Sequence, residues 1–157
     1  MEKEILKLKL LLVDDEKDFR RATSKTLTRR GFTVSEAVSG EDALISIKQE
    51  PPDIVLLDLK MPRLDGIETL QRIRQKEKTL PVIILTGHGD FRDALAGIRL
   101  EIVDFIQKPV DVDQLSDRIQ LLLTRGIKPL MRERSISELM KPPSLYPKLY
   151  TDEPVTK

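Results

Sequence analysis

Leu8-Lys9-Leu10-Leu11-Leu12-Val13-Asp14-Asp15 is a short apolar run that stops on two adjacent carboxylates. The pattern recurs along the chain. Ile54 to Leu57 stops on Asp58, Val82 to Leu85 stops on Thr86, and Ile102 to Ile106 leads into Lys108. Phe32 to Ala37 is a further run. Runs this short and rich in Val, Ile and Leu predict β-strands. The near-continuous ones predict strands covered on both faces, whereas Thr33 to Ala37 alternates and reads as an edge strand. Between the runs the apolar spacing is helical. Phe19, Ala22, Thr23, Thr26 and Leu27 share one face; Ala43, Leu44 and Ile47 a second; Ile67, Leu70 and Ile73 a third. Phe91, Ala94, Leu95 and Ile98 make a fourth, and Leu115, Ile119 and Leu122 a fifth. Gly31, Gly40, Pro51-Pro52, Pro81 and Pro109 punctuate the segments.

Five strands, each followed by a helix, predict an α/β fold with a parallel sheet covered on both sides. The economical winding is the flavodoxin-like, doubly wound five-stranded sheet of order 2-1-3-4-5 with five helices. That unit spans residues 1–125. Residues 126–157 differ in character, holding five of the chain's ten prolines. They read as a Pro-rich extension or linker. Ser135 to Met140, Leu145 to Tyr150 and Asp152 to Val155 resemble the start of a truncated CBS-like module.

Composition excludes several classes. The 157 residues contain no cysteine, so disulfides and thiolate metal sites are absent. Lys+Arg 27 against Asp+Glu 26 offers no bulk charge for nucleic acid. No apolar run approaches the ~20 residues of a membrane span. A cytoplasmic protein with no membrane or nucleic-acid contact is the expectation. No GxGxxG or GxxxxGK[ST] occurs, which argues against dinucleotide and P-loop binding. Aromatics at 4% offer little to stack a flavin.

In open α/β sheets, ligands sit outside the carboxyl ends of the strands. With order 2-1-3-4-5, Asp14, Asp15, Asp58, Thr86 and Lys108 fall on one rim. Each alone is an ordinary strand-end or cap residue. Together they are restrictive. Three close carboxylates repel one another and call for a hard cation, of which Mg²⁺ suits oxygen ligands and phosphate. A lysine and a threonine opposite a metal cradle a tetrahedral anion. Asp58, at the middle of the rim, is the candidate nucleophile for phosphoryl transfer.

These residues lie in motifs: Leu11 to Glu16, Asp58 to Gly66, Leu85 to Asp90, and Asp104 to Pro109. By them the chain resembles the receiver domain of two-component response regulators, in the chemotaxis-regulator-like superfamily, over residues about 8 to 125. The resemblance implies that Asp58 accepts a phosphoryl group from a sensor histidine kinase or phosphotransfer protein. It implies that Asp15, Asp58 and the Lys60 carbonyl bind Mg²⁺, Asp14 helping through water. Lys108 pairs with the carboxylate or phosphoryl, and Thr86 hydrogen-bonds a phosphoryl oxygen. Phe105, often Tyr in the family, turns inward when Thr86 moves, and the Lys108-Pro109 bond is cis. The output surface is that of the fourth helix, fifth strand and fifth helix, where dimerisation or partner docking is favoured. Lys60 and His88 are expected to tune the phosphoryl lifetime. Leu100-Glu101 stands where the fourth helix usually ends in glycine, so that helix is expected to end differently. Arg21, Lys25 and Arg29, beside Arg20 and Arg30, form a basic stripe that reads as a solvated helix face or a kinase-docking face. Such a domain is a signalling phosphoacceptor, catalysing only its own phosphorylation and dephosphorylation. The competing class is an interaction module with a receiver fold that takes no phosphate.

Overall fold

The computed structural model describes residues 8–61, 63–87 and 99–125. Its elements run β1 (Lys9–Val13), α1 (Lys17–Arg29), β2 (Thr33–Ala37), α2 (Gly40–Gln49), β3 (Ile54–Asp58), α3 (Gly66–Lys76), β4 (Val82–Thr86), β5 (Asp104–Gln107) and α4 (Val112–Arg125). The expected helix around Phe91 to Ile98 lies outside the described residues, as does the extension 126–157 with its CBS-like segments. All five strands pair in parallel in the order β2-β1-β3-β4-β5. This is the flavodoxin-like winding expected, with β2 at an edge.

Alternation along the strands builds two cores. Leu11, Val13, Val55, Leu57 and Ile84 point to one face, against Ala43 and Ile47 of α2 and Leu70 and Ile73 of α3. Leu10, Leu12, Ile54, Leu56, Ile83 and Leu85 point to the other, against Leu27 of α1 and Leu115 and Ile119 of α4. Every residue of β3 is buried: Ile54 to Leu57 as their apolar run requires, and Asp58 with them. Ser39 and Asp65 cap α2 and α3, accepting from the amides of Asp42 at 3.1 Å and Glu68 at 2.9 Å.

Three local expectations are corrected. Ala22 is exposed, and the inner stripe of α1 is Arg20, Thr23, Ser24 and Leu27. The last strand begins at Asp104, not Ile102. Ile102 and Val103 are buried as their apolarity demands, but burial alone does not make a strand. The third correction concerns the turn before β5.

No glycine ends the helix there. Glu101 instead takes the left-handed conformation itself, at φ 59°. Arg74 of α3 holds this turn. Its Nε donates to the Leu100 carbonyl at 2.7 Å, and a terminal nitrogen donates to the Glu101 carbonyl at 3.3 Å. The other terminal nitrogen donates to the Glu77 carbonyl at 2.9 Å. Partial burial of the guanidinium lowers its pKa, and nearby Glu101 opposes that shift. A side chain at positive φ costs on the order of 1 kcal/mol relative to glycine. Glu101→Gly should therefore raise stability by up to about 1 kcal/mol in urea unfolding, with the m-value unchanged; a destabilised variant would show that the turn carries no strain.

Candidate functional site

β1 and β3 are hydrogen-bonded neighbours. Asp58 is the last residue of β3, and Asp14-Asp15 directly follows β1. The carboxylates of Asp14, Asp15 and Asp58 offer oxygens that all lie within 4.8 Å of one another. Asp14 is fully buried and Asp58 nearly so, whereas Asp15 is exposed. Lys108 follows β5 and comes from the far side of the rim. Its ammonium lies 2.6 Å from Asp14 Oδ2 and 3.7 Å from Asp58 Oδ2. The Phe19 ring covers the same ammonium, 4.2 Å from the ring centroid. The Lys108-Pro109 peptide is cis.

Asp14 is held at every polar atom. Its amide donates to the Ala37 carbonyl at 3.1 Å. Its Oδ1 accepts from the Glu16 amide at 2.8 Å, its Oδ2 from Lys108, and its carbonyl from Arg20 at 2.9 Å. Asp15 is the more open carboxylate. Asp58 Oδ1 accepts from the Lys60 amide at 3.2 Å, and the Lys60 side chain is exposed. Behind this loop a Cβ on Gly66 would come within 2.4 Å of Leu59 Cα and 2.5 Å of the Asp58 carbonyl. Only glycine lets the start of α3 press against the backbone that carries Asp58.

Charge and burial set the character of the site. Three carboxylates and one ammonium leave two negative charges, matching one divalent cation. Burial, followed by the charge of Asp14, pushes the Asp58 carboxyl up to about 6, against the lowering effect of Lys108. A hard cation bound by oxygen would offset this crowding. The donor set therefore fits a Mg²⁺-type ion.

Among the remaining expected residues, Thr86 ends β4, one position beyond Leu85, the register partner of Asp58. The Thr86 side chain and all of His88 lie outside the described positions. Phe105 of β5 points inward, 3% exposed, and packs in the core shared by Val55, Leu57 and Ile84. Arg21, Lys25 and Arg29 are exposed, as the stripe reading requires. Arg20 and Arg30 leave it. Arg20 is buried, and Arg30 pairs with Asp113 at 2.9 Å and Asp117 at 3.5 Å on α4. The inward turn of Arg20 had a signal in the sequence. It stands three, four and seven residues before Thr23, Ser24 and Leu27, which form the buried stripe.

Residues 10–120 match the response regulator receiver domain family. The chain belongs to it, and is a receiver domain of the kind found in two-component response regulators. It is 40% identical over 132 residues to the probable transcriptional regulator ycf27 of Cyanophora paradoxa, covering 84% of this chain and 55% of the relative. It is 39% identical over 117 residues to the transcriptional regulatory protein AfsQ1 of Streptomyces coelicolor, covering 74% of this chain and 52% of that protein. The chain thus spans about half the length of these relatives. Among solved structures it resembles the receiver domain of NtrX from Brucella abortus, at 34% identity and TM-score 0.69, covering 74% of this chain and 99% of that one. It also resembles the Vibrio cholerae chemotaxis protein CheY4, at 26% identity and TM-score 0.70, covering 73% and 98%. No described helix is long and apolar enough to cross a membrane.

The raised Asp58 carboxyl has a consequence for stability. With the folded value near 6 and an ordinary value of 3.8 unfolded, the native state binds more protons between those limits. The Asp58 contribution to the stability of the metal-free protein should fall as pH rises from about 4 to about 6, then level off. Asp58→Asn removes that cost. The variant should exceed wild type by on the order of 2 kcal/mol in urea unfolding at neutral pH with chelator present, the gain shrinking toward pH 4. A gain independent of pH would contradict the assignment.

Proposed function

We propose that this receiver accepts a phosphoryl group on Asp58 from a sensor histidine kinase or phosphotransfer protein, with Mg²⁺ as its cation. The observation that carries the reading is the gathering of Asp14, Asp15 and Asp58 within 4.8 Å with Lys108 among them. A carboxyl near 6 is mostly ionised at neutral pH, so an Asp58 oxygen is available as a nucleophile. That oxygen attacks phosphorus as the bond to the donor's histidine nitrogen breaks. The electron pair leaves with the imidazole, and the product on Asp58 is an acyl phosphate. Lys108, held between Asp14 and Asp58, stabilises negative charge that shifts onto the phosphoryl oxygens. Asp15 and Asp58, with the Lys60 carbonyl and with Asp14 through water, would hold Mg²⁺, which offsets the phosphoryl charge when bound. Thr86 completes the anion cradle with its hydroxyl. Slow attack of water on phosphorus returns the carboxylate and inorganic phosphate. The domain, spanning residues 1–125, acts in the cytoplasm as a signalling switch.

Phosphorylation biases a two-state equilibrium through Thr86 and Phe105, altering the surface of the expected fourth helix, β5 and the fifth helix (α4) to favour a partner or a second copy of the chain. Incubation with a small phosphodonor and Mg²⁺ should add one phosphoryl group by intact mass, and none in Asp58→Asn. No adduct with any donor or kinase would instead support the interaction module. Lys60 and His88 tune the lifetime of the phosphorylated state. The Lys60→Ala/His88→Ala double variant should dephosphorylate at a different rate from wild type, and identical rates would remove that role.

A further inference from the structure

Arg20 is a buried cation beside an acidic site, and its two side-chain bonds close a ring through the backbone bond between Asp14 and Ala37. One terminal nitrogen donates to the Asp14 carbonyl at 2.9 Å, and Nε donates to Glu36 Oε1 at 3.0 Å. Glu36 is followed in β2 by Ala37, whose carbonyl accepts the Asp14 amide at 3.1 Å. The Arg20 side chain is 10% exposed; its bond to the Asp14 carbonyl is buried, whereas the one to Glu36 lies nearer the surface. The carbonyl it holds belongs to the peptide bond joining Asp14 to Asp15. Fixing that carbonyl fixes the plane from which both carboxylates depart.

We infer that Arg20 is a positioning residue that orients the Asp14-Asp15 peptide, and through it the divalent-cation ligands; this rests on the Mg²⁺ reading above. Two carboxylates on a loop repel each other, and a free loop would relax by turning one away. Arg20 opposes that relaxation from below, where it touches neither carboxylate. Its charge is already offset by Glu36 at 3.0 Å. The planar fork of arginine serves two acceptors at once, which a lysine ammonium on a flexible stem cannot reproduce.

Position and charge predict opposite signs. Were Arg20 merely a nearby positive charge, its removal would strengthen cation binding. As a positioning residue, its removal weakens it. The test is calorimetric titration of the folded chain with MgCl₂ alone, using wild type, Arg20→Met, Arg20→Lys and Glu36→Gln. Arg20→Met should raise the Mg²⁺ Kd about tenfold, the lower end for groups that orient metal ligands. Arg20→Lys keeps the charge but should still bind more weakly than wild type. Glu36→Gln leaves the bond to the Asp14 carbonyl and should lose less than Arg20→Met. The MgCl₂ concentration for half-maximal phosphorylation by a small phosphodonor should rise in step, by more than the saturated rate falls. Should Arg20→Met fail to fold, the other two variants decide. Equal or tighter Mg²⁺ binding in the Arg20 variants, with wild type binding normally, overturns the positioning role alone. Absence of Mg²⁺ binding by wild type overturns the site reading and this inference with it.

Discussion

Lys108 puts its ammonium 2.6 Å from one buried carboxylate and 3.7 Å from another. Without it, Asp14 and Asp58 would face each other across adjacent strand ends with no counter-charge between them. With it, two negative charges still remain on the cluster. The attraction is strong because Lys108 and Asp14 are mostly sheltered from water, and bonds to charged groups gain where solvent is excluded. Burial, together with the charge of Asp14, keeps Asp58 only weakly acidic, and the residual charge leaves the site short of one divalent cation. The chemistry proposed for the domain follows from that imbalance.

The fold supplies the geometry through a few constraints. Parallel strands bring every carboxyl end to one rim, and the order β2-β1-β3-β4-β5 makes the tips of β1 and β3 neighbours. The apolar alternation that buries both faces fixes the register, so Val13 stands opposite Leu57 and the charged residues follow just beyond. α1 then contributes from beneath. Phe19 covers the Lys108 ammonium, and Arg20 holds the Asp14 carbonyl. Gly66 allows α3 to press on the Asp58 loop from the other side. Rigid elements thus surround a site whose own residues repel one another.

Much of this was legible in the sequence because the strands announce themselves. An apolar run that stops abruptly on Asp, Thr or Lys marks both a buried strand and its functional tip. Strand order followed from the parallel winding, and the site from the order. What escaped depended on contacts between distant segments. Arg20 read as surface because it is charged, yet Glu36 and the Asp14 carbonyl draw it inward. Phe19 read as simple core, yet its ring meets an ammonium from the loop after β5. The shift of Asp58 arises from burial and from Asp14 just beyond another strand's end, which no local pattern encodes. Burial of Ile102 and Val103 was visible, but the start of β5 at Asp104 was not.

Carbon-13 NMR of the aspartate carboxyls, followed against pH with and without Mg²⁺, measures the crowding itself. The Asp58 resonance should titrate near 6 in metal-free protein and move to markedly lower pH when Mg²⁺ is saturating. An Asp58 carboxyl that titrates near an ordinary aspartate value and ignores Mg²⁺ would show that the three carboxylates neither strain one another nor share a cation.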